Sequence, residues 1–457
     1  MLLMKKEKSI DMLSGPLAGK LILFALPIAF SSMLQQLFNA ADTSVVGYFE
    51  NADALAAVGT NGEIVALLVT ISAGLSVGAN VMIAAAIGEN KKEQIPDILH
   101  TALSFSLLLG ILLALTGQFL SGPLLTLIQT PATVLTAATT YLRIYFAGLP
   151  FLMLYDFGSA ILRAKGDSRR PFLALTASGF LNVLLNLFLV VVCHLGVAGV
   201  AIATDIATAF SAALVLFWLY REPEEFHMTF RNLRIHGKQL LHMLSIGVPS
   251  AVQGAVFCFA NIFVQASVNS FGTIATAGST IAMNFEYFGY YMITAFGQTA
   301  TTFTSQNFAA GKKDRCRKIF LLCLLFCILF SSLIIVPLTV FREWFCHLFS
   351  NDPAVISAAC TRILLILFFE PVCGLYEVPA GILRGRGHSA LPAALTVIGT
   401  CLLRILWIFT VFRHFHTLES LFVIFPVSWG ITILLMAGGL LFCHRKDFLP
   451  SDPAWHI

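Results

Sequence analysis

Residues 160–171 read AILRAKGDSRRP and residues 381–392 read GILRGRGHSALP. Each copy closes an apolar helical run with arginine or lysine. Each then turns at a glycine, Gly166 or Gly387, and reaches a proline, Pro171 or Pro392. Proline can begin the next helix because the N–H it lacks has no intrahelical partner there. The likeness extends well beyond these twelve residues. Pro150 and Tyr155 match Pro371 and Tyr376 at the same offset, and Pro27 and Asn39 match Pro249 and Asn261. LAAVGT from Leu55 matches IATAGS from Ile274, and Gly74 and Gly88 match Gly297 and Gly311. The chain is a duplication of one unit.

Composition says what the unit is made of. Of 457 residues, 58% are hydrophobic and 11% charged, with a mean hydropathy of +0.85. Soluble domains hold about 25% charged residues. Runs such as LLLGILLALTGQFL from Leu107 and IFLLCLLFCILFSSLIIVPL from Ile319 recur along the chain. About 20 such residues in a helix cross the hydrocarbon core. The fold class is therefore all-α integral membrane. Twelve spans are expected, at about 18–46, 54–87, 96–120, 133–161, 171–193 and 196–220, then 240–270, 278–308, 316–340, 354–383, 390–412 and 418–443. The expected domains are a six-helix lobe over 1–220, a cytoplasmic linker over 221–239 and a second six-helix lobe over 240–457. Six is even, so the lobes are parallel repeats, one of the layouts of secondary transporters.

The basic residues orient the spans. The N-terminal tail holds Lys5, Lys6 and Lys8, with Lys20 at the start of the first span. Lys91, Lys92, Arg163, Lys165, Arg169, Arg170, Arg221, Arg231, Arg234, Lys238, Lys312, Lys313, Arg315, Arg317, Lys318, Arg384 and Arg386 follow even-numbered spans, and Arg445 and Lys446 follow the last. The opposite loops hold only Arg342 and Arg413. By the positive-inside rule both termini are cytoplasmic. The repeated basic turns then serve as anchors in the headgroup region. The N-terminus has no short apolar core with a cleavage site and reads as a retained tail. Ten cysteines form no CxxC pair and no Cys/His metal spacing. Cys323 and Cys327, four apart on one helix, read as buried small side chains.

Carboxylates at bilayer depth are costly and point to function. The expected spans hold Asp42, Glu63, Asp156, Asp205, Glu286, Glu370 and Glu377. Asp42 lies in LQQLFNAADTSVVGYF with no Lys or Arg near it in sequence, beyond Pro27, which bends the helix. Such a carboxyl can carry a proton and release it when a cation arrives. Asn182 and Asn186 share one helix face, and Thr204 stands in the next span. With Asp42 they supply oxygen ligands and a single charge, suited to a proton or a weakly held Na⁺. Two acid pairs obey the repeat, Asp156 with Glu377 and Glu63 with Glu286. They are expected to make an anionic surface facing both halves. Asp205 and Glu370 have no repeat partner and read as local hydrogen-bond partners. Phe285 and Phe288, beside Glu286, could face a flat cation. Gly74-xxx-Gly78 reads as a close-packing face.

LFNAADTSVVG, AILRAKGDSRRP, GVAGVAIATD from Gly196 and GQTATTFTSQNFAAGK from Gly297, in that order, make the chain resemble the multidrug and toxic compound extrusion (MATE) family, in its bacterial form. The resemblance runs over about residues 15–445. It implies two six-helix lobes around a V-shaped cleft and export of organic cations against inward H⁺ or Na⁺. By position Asp42 matches the family's coupling aspartate, and Asn182 and Thr204 match its polar partners. Asn186 falls where some members have aspartate, which removes a charge and disfavours Na⁺. Asp156 falls where asparagine is common, and Glu377 matches a frequent glutamate.

The expected protein is a proton-coupled exporter of lipophilic organic cations in the bacterial cell membrane. It has no cofactor, no resident metal and no nucleic-acid partner. It is a monomer, since a cleft within one chain needs no second copy. A flippase for a lipid-linked anionic saccharide is the alternative. Its cavity should be cationic, whereas the intramembrane arginines (Arg143, Arg362 and Arg404) are outnumbered by acids. An enzyme is not expected, because there is no HExxH zinc pair and no paired His–Asp motif at membrane depth.

Overall fold

Lipid offers no water to exposed backbone N–H and C=O groups, so a spanning chain of this composition folds as helices. The computed structural model describes residues 9–50 and 52–446. Lys5, Lys6 and Lys8 of the tail lie outside the described residues. No strand occurs among the described residues. The first half holds α1 (Leu17–Phe49), α2 (Ala52–Gly88), α3 (Ile95–Leu127), α4 (Ala132–Lys165), α5 (Arg169–Val192) and α6 (Gly196–Tyr220). The second holds α7 (Gly237–Asn269), α8 (Thr273–Ala309), α9 (Lys313–Val340), α10 (Pro353–Gly385), α11 (Ala390–Phe412) and α12 (Leu418–Cys443). Eleven of these twelve helices are apolar enough to cross a membrane by composition alone. The exception is α8. At 37 residues it is long enough, but it carries Asn284, Glu286, three tyrosines and a run of threonines.

The chain divides into two compact units along lines inside α1 and α7. One unit is Met1–Asp11 with Phe30–Ala251, and the other is Met12–Ala29 with Val252–Ile457. Local contacts explain both lines. In the first unit the early turns of α7 lie backbone to backbone on α2. A Cβ on Gly74 would stand 2.5 Å from the Ala251 Cα, and one on Gly78 would stand 2.2 Å from the Met243 carbonyl oxygen. The Gly74-xxx-Gly78 face is thus a close-packing face. In the second unit the residues before α1 are held by the turn between α8 and α9. Arg315 donates to the carbonyls of Met12, Ser14 and Gly15 at 3.1, 2.7 and 2.8 Å. Asn307 Nδ2 adds a bond to Met12 O at 3.1 Å.

The repeated turns behave as the sequence suggests. Gly166 and Gly387 take positive φ, 101° and 85°, in the left-handed region that favours glycine. The halves differ in two other places. Pro150 sits inside the continuous α4, whereas its match Pro371 lies in a tighter 3₁₀ stretch, Leu367–Cys373, within α10. The end of α5 widens into π turns at Leu187–Val192, and α11 widens at Val397–Leu402 and Ile408–Phe412. The α5 widening begins directly after Asn186, and such turns frequently accompany functional sites.

At the end of α4, Lys165 and Arg170 both pair with Glu222, which follows α6, and Arg170 also pairs with Asp167. Burial alone would raise the Glu222 carboxyl, but the hydrogen bonds and charges of Lys165 and Arg170 outweigh it and hold it below its ordinary value. A depressed folded-state pKa contributes stability above the unfolded pKa of about 4.3 and loses it as pH falls through the folded value. Glu222→Gln should therefore melt at lower temperature than wild type at pH 7. The gap should close as the pH falls below about 4.3, in melting curves recorded in detergent across that range.

Candidate functional site

Asp42, in α1, is 9% exposed. Asn186, in α5 and fully buried, donates Nδ2–H to Asp42 Oδ1. The same amide donates to Asn182 Oδ1 at 3.2 Å. Asn182 Nδ2 donates to Thr204 Oγ1 at 3.4 Å. The Thr204 hydroxyl, in α6, stands 3.4 Å from Asp42 Oδ2 and 3.0 Å from Val200 O. The four expected coupling residues therefore meet in one closed circuit within the first unit. Every partner is neutral. Asn186 Oδ1 is buried with no hydrogen-bond partner. The circuit thus has one charge, two donors aimed at it and one unfilled acceptor. No cluster of three or more His, Cys, Asp or Glu able to hold a metal occurs among the described residues.

The remaining expected acids do not gather in this way. Asp156, in α4, accepts a 2.6 Å hydrogen bond from Ser72 of α2. Glu63, in α2, is exposed. Glu286, in α8, is clamped by Arg362 of α10, with Nε–Oε1 at 2.7 Å and Nη2–Oε2 at 2.8 Å. Arg362 also donates to Ser279 at 2.6 Å. Glu377 accepts from Arg384 Nη1 at 3.2 Å. The anionic surface expected of Glu286 and Glu377 is therefore neutralised within the second unit. Arg384 needs correction too. It was expected as a headgroup anchor, yet it is buried and bonded to an acid two helical turns earlier. Its repeat match Arg163 is half-buried, within electrostatic range of Asp156 and Tyr155.

Asp205 and Glu370 were expected to hydrogen-bond locally, but neither does so among the described residues. A Cβ on Gly148 would stand 2.0 Å from Asp205 Oδ1, so that glycine leaves room for the carboxylate. Phe285 packs edge-on against Phe345 and Phe349 in a buried cluster and is core. Cys323 and Cys327 are buried free thiols, as expected. Sequence reasoning missed two tyrosines of α4. Tyr141 and Tyr145 stack with ring centroids 6.4 Å apart, and Tyr141 lies within electrostatic range of Asp42 and Asp205. Their spacing of four on a polar helix was the available signal.

Removing one partner of a buried pair leaves an uncompensated charge, at a cost of about 3–5 kcal/mol. Arg362→Gln should destabilise the protein by about that amount. Glu286→Gln made in the Arg362→Gln background should recover part of the loss, in unfolding titrations of the purified variants.

A family model described as MatE matches residues 27–188 and 249–410, two stretches that begin at the matched Pro27 and Pro249. A probable multidrug resistance protein, YoeA of Bacillus subtilis, is 26% identical over 433 residues, 93% of each chain. A probable multidrug resistance protein, NorM of Thermotoga maritima, is 26% identical over 408 residues, 87% of this chain and 86% of the relative. A protein named as a FAD transporter, from Shewanella oneidensis, is 26% identical over 362 residues, 78% of this chain and 79% of the relative. Among solved structures, the outward-facing conformation of a multidrug resistance MATE family transporter aligns with a TM-score of 0.88 at 20% identity, covering 97% of this chain and 98% of that one. The likeness shows the fold, an all-helical membrane protein of twelve helices in two lobes.

Proposed function

The chain belongs to the MatE family of multidrug transporters, which are not enzymes, and from that premise we propose that it exports lipophilic organic cations in exchange for protons. The observation that carries this reading is the setting of Asp42, a buried carboxyl whose hydrogen-bond partners among the described residues are neutral. A carboxylate accepts hydrogen bonds, and its protonated form also donates one. Ionised Asp42 is served by Asn186 Nδ2–H and the Thr204 hydroxyl. Protonated Asp42 needs an acceptor, and a half-turn of the Asn186 amide would offer the unfilled Oδ1. One side chain can thus serve both protonation states. An incoming organic cation favours the ionised state and expels the proton, and a proton returning from outside resets the site.

Support for H⁺ over Na⁺ comes from the same geometry. Asn186 is neutral, so the circuit would offer Na⁺ one carboxylate, that of Asp42, and no second charge. Asp42, Asn182 and Thr204 remain the ligands a Na⁺ ion would use if it bound. One H⁺ exchanged for one monovalent cation moves no net charge, so the drive is ΔpH, about 1.4 kcal/mol per unit. The substrate assignment is open on family grounds alone, since one relative is named as a FAD transporter. The lipid-linked saccharide alternative draws no support from this site, whose only charge is negative. The remaining elements of the reading are a monomer in the bacterial cytoplasmic membrane with both termini inside, with Asp156, Glu286 and Glu377 along or beside the substrate path and Glu63 at its mouth.

Proteoliposomes loaded with ethidium or tetraphenylphosphonium test this directly, with ΔpH and a Na⁺ gradient imposed separately. Wild-type efflux should follow ΔpH, and Asp42→Asn should reduce it to the passive leak. Efflux driven only by Na⁺ would overturn the proton reading, and efflux by Asp42→Asn at the wild-type rate would remove Asp42 from the mechanism.

A further inference from the structure

The segment between α6 and α7 is fastened to the first turns of α3 through two histidines. His100 of α3 is 4% exposed. Its Nε2 accepts the backbone N–H of Thr229 at 3.1 Å, and its Nδ1 stands 2.6 Å from Pro96 O. His236 closes the segment. Its backbone N–H donates to Thr101 Oγ1 at 3.1 Å, and its Nδ1 stands 3.2 Å from the same oxygen. Its Nε2 accepts from Arg234 Nε at 2.9 Å and lies 3.4 Å from Asp97 Oδ1. Between these two points the chain is open to solvent, with Arg231, Asn232, Arg234 and Ile235 exposed.

The partners of His100 settle its protonation. A backbone N–H only donates and a carbonyl only accepts. The ring therefore carries its proton on Nδ1 and leaves Nε2 bare, which is the neutral form. A second proton, on Nε2, would set one N–H against another and end the bond to Thr229. The new charge would also stand alone, since no carboxylate lies within ion-pair distance of His100 among the described residues. The charged and titratable groups around it are engaged elsewhere. Asp97 and Arg234 meet His236, Lys92 meets Glu225 at 3.3 Å, Lys165 meets Glu222, and His227 Nδ1 lies 3.2 Å from Glu222 O. A buried charge without a partner is strongly destabilising, so His100 takes the proton only by letting the segment go. His236 differs. A proton on its Nε2 loses Arg234 but gains Asp97, so that charge is answered in place.

We propose that the contact between His100 and Thr229 is a proton-operated latch: neutral His100 holds the segment 229–235 on α3, and protonated His100 releases it. The docked state admits only the neutral ring, so the latch contributes at high pH and its contribution is lost as pH falls. Histidine is the side chain that changes charge between about pH 5 and 8. On the orientation read from the loop charges the segment lies on the cytoplasmic side. The latch thus makes the stretch of chain that joins the two halves responsive to cytoplasmic pH. It shares no residue with the Asp42 circuit and needs neither substrate nor gradient.

Amide hydrogen exchange, read by mass spectrometry on the full-length protein in nanodiscs, tests this. Each rate is divided by its intrinsic value at the same pH, so that pH enters only through structure. In wild type the 229–235 segment should be protected at about pH 8 and lose about ten-fold or more of that protection at about pH 5.5. The middle of α3 should keep its protection at both. His100→Gln presents an amide oxygen and an amide N–H on a side chain that takes up no proton, and it should abolish the pH dependence. His236→Gln should retain it. Equal protection of the wild-type segment at both pH values would overturn the proposal without any variant. So would a His100→Gln protein that still loses protection in acid, or a His236→Gln protein that no longer does. Should His100→Gln dock at neither pH, histidine ¹⁵N spectra of wild type decide. Nε2 of His100 should be bare at about pH 8 and gain its proton as protection falls. A protonated Nε2 with the segment still protected would overturn the latch.

Discussion

A charge inside a helical membrane bundle must be answered by an opposite charge, a hydrogen-bond donor or acceptor, or an aromatic face. This constraint decides most of what distinguishes the two halves. In the second half acids are answered by arginines: Glu286 by Arg362 and Glu377 by Arg384. In the first half Asp42 is answered, among the described residues, by the Asn186 amide and the Thr204 hydroxyl, with Asn182 bonded to both of these. An ion pair fixes a charge in place. A circuit of neutral groups leaves the charge free to change, because no fixed partner is stranded when a proton arrives. A buried acid with exclusively neutral partners is therefore the natural place for a coupling proton, and the clamped acids are not.

The duplication makes the contrast informative. Both halves inherited the same turns, the same proline positions and an acid seven residues before an arginine at the end of the fourth helix of each half. In the second half that acid is the longer glutamate and reaches Arg384. In the first it is Asp156, which is bonded to Ser72 instead. The matched helices have also diverged in backbone. The 3₁₀ stretch of α10 carries Glu370 into the cavity that Arg404 lines, whereas α4 runs straight through its own proline. The first half keeps Asp42 among neutral groups, and the second holds Glu286 and Glu377 against arginines.

Much of this was legible in the sequence, for a physical reason in each case. The spans and their orientation follow from hydropathy and from loop charge, which are local properties. The Asp42 circuit was legible because Asn182 and Asn186 share a helix face and because Thr204 falls in a motif of recognisable form. The Arg362–Glu286 clamp was not legible. Its members lie on different helices, and no periodicity in the chain relates α8 to α10. The same holds for Arg384, whose place in a basic turn suggested the headgroups although its helix carries it inward. That Glu370 and Arg404 line one cavity is a property of packing, which composition does not encode. The π turns of α5 and α11 left no trace in residue type. The polar character of α8 was visible, but its meaning, a helix turned toward Arg362 and the second-half cavity, required the structure.

The central claim is that Asp42 exchanges a proton for a substrate cation. The most direct test counts protons. Tetraphenylphosphonium is added to purified protein in weakly buffered detergent solution near neutral pH, and a pH indicator reports protons released per cation bound. The account predicts measurable release from wild type and none from Asp42→Asn. Equal release from both proteins, or binding without release in wild type, would contradict it.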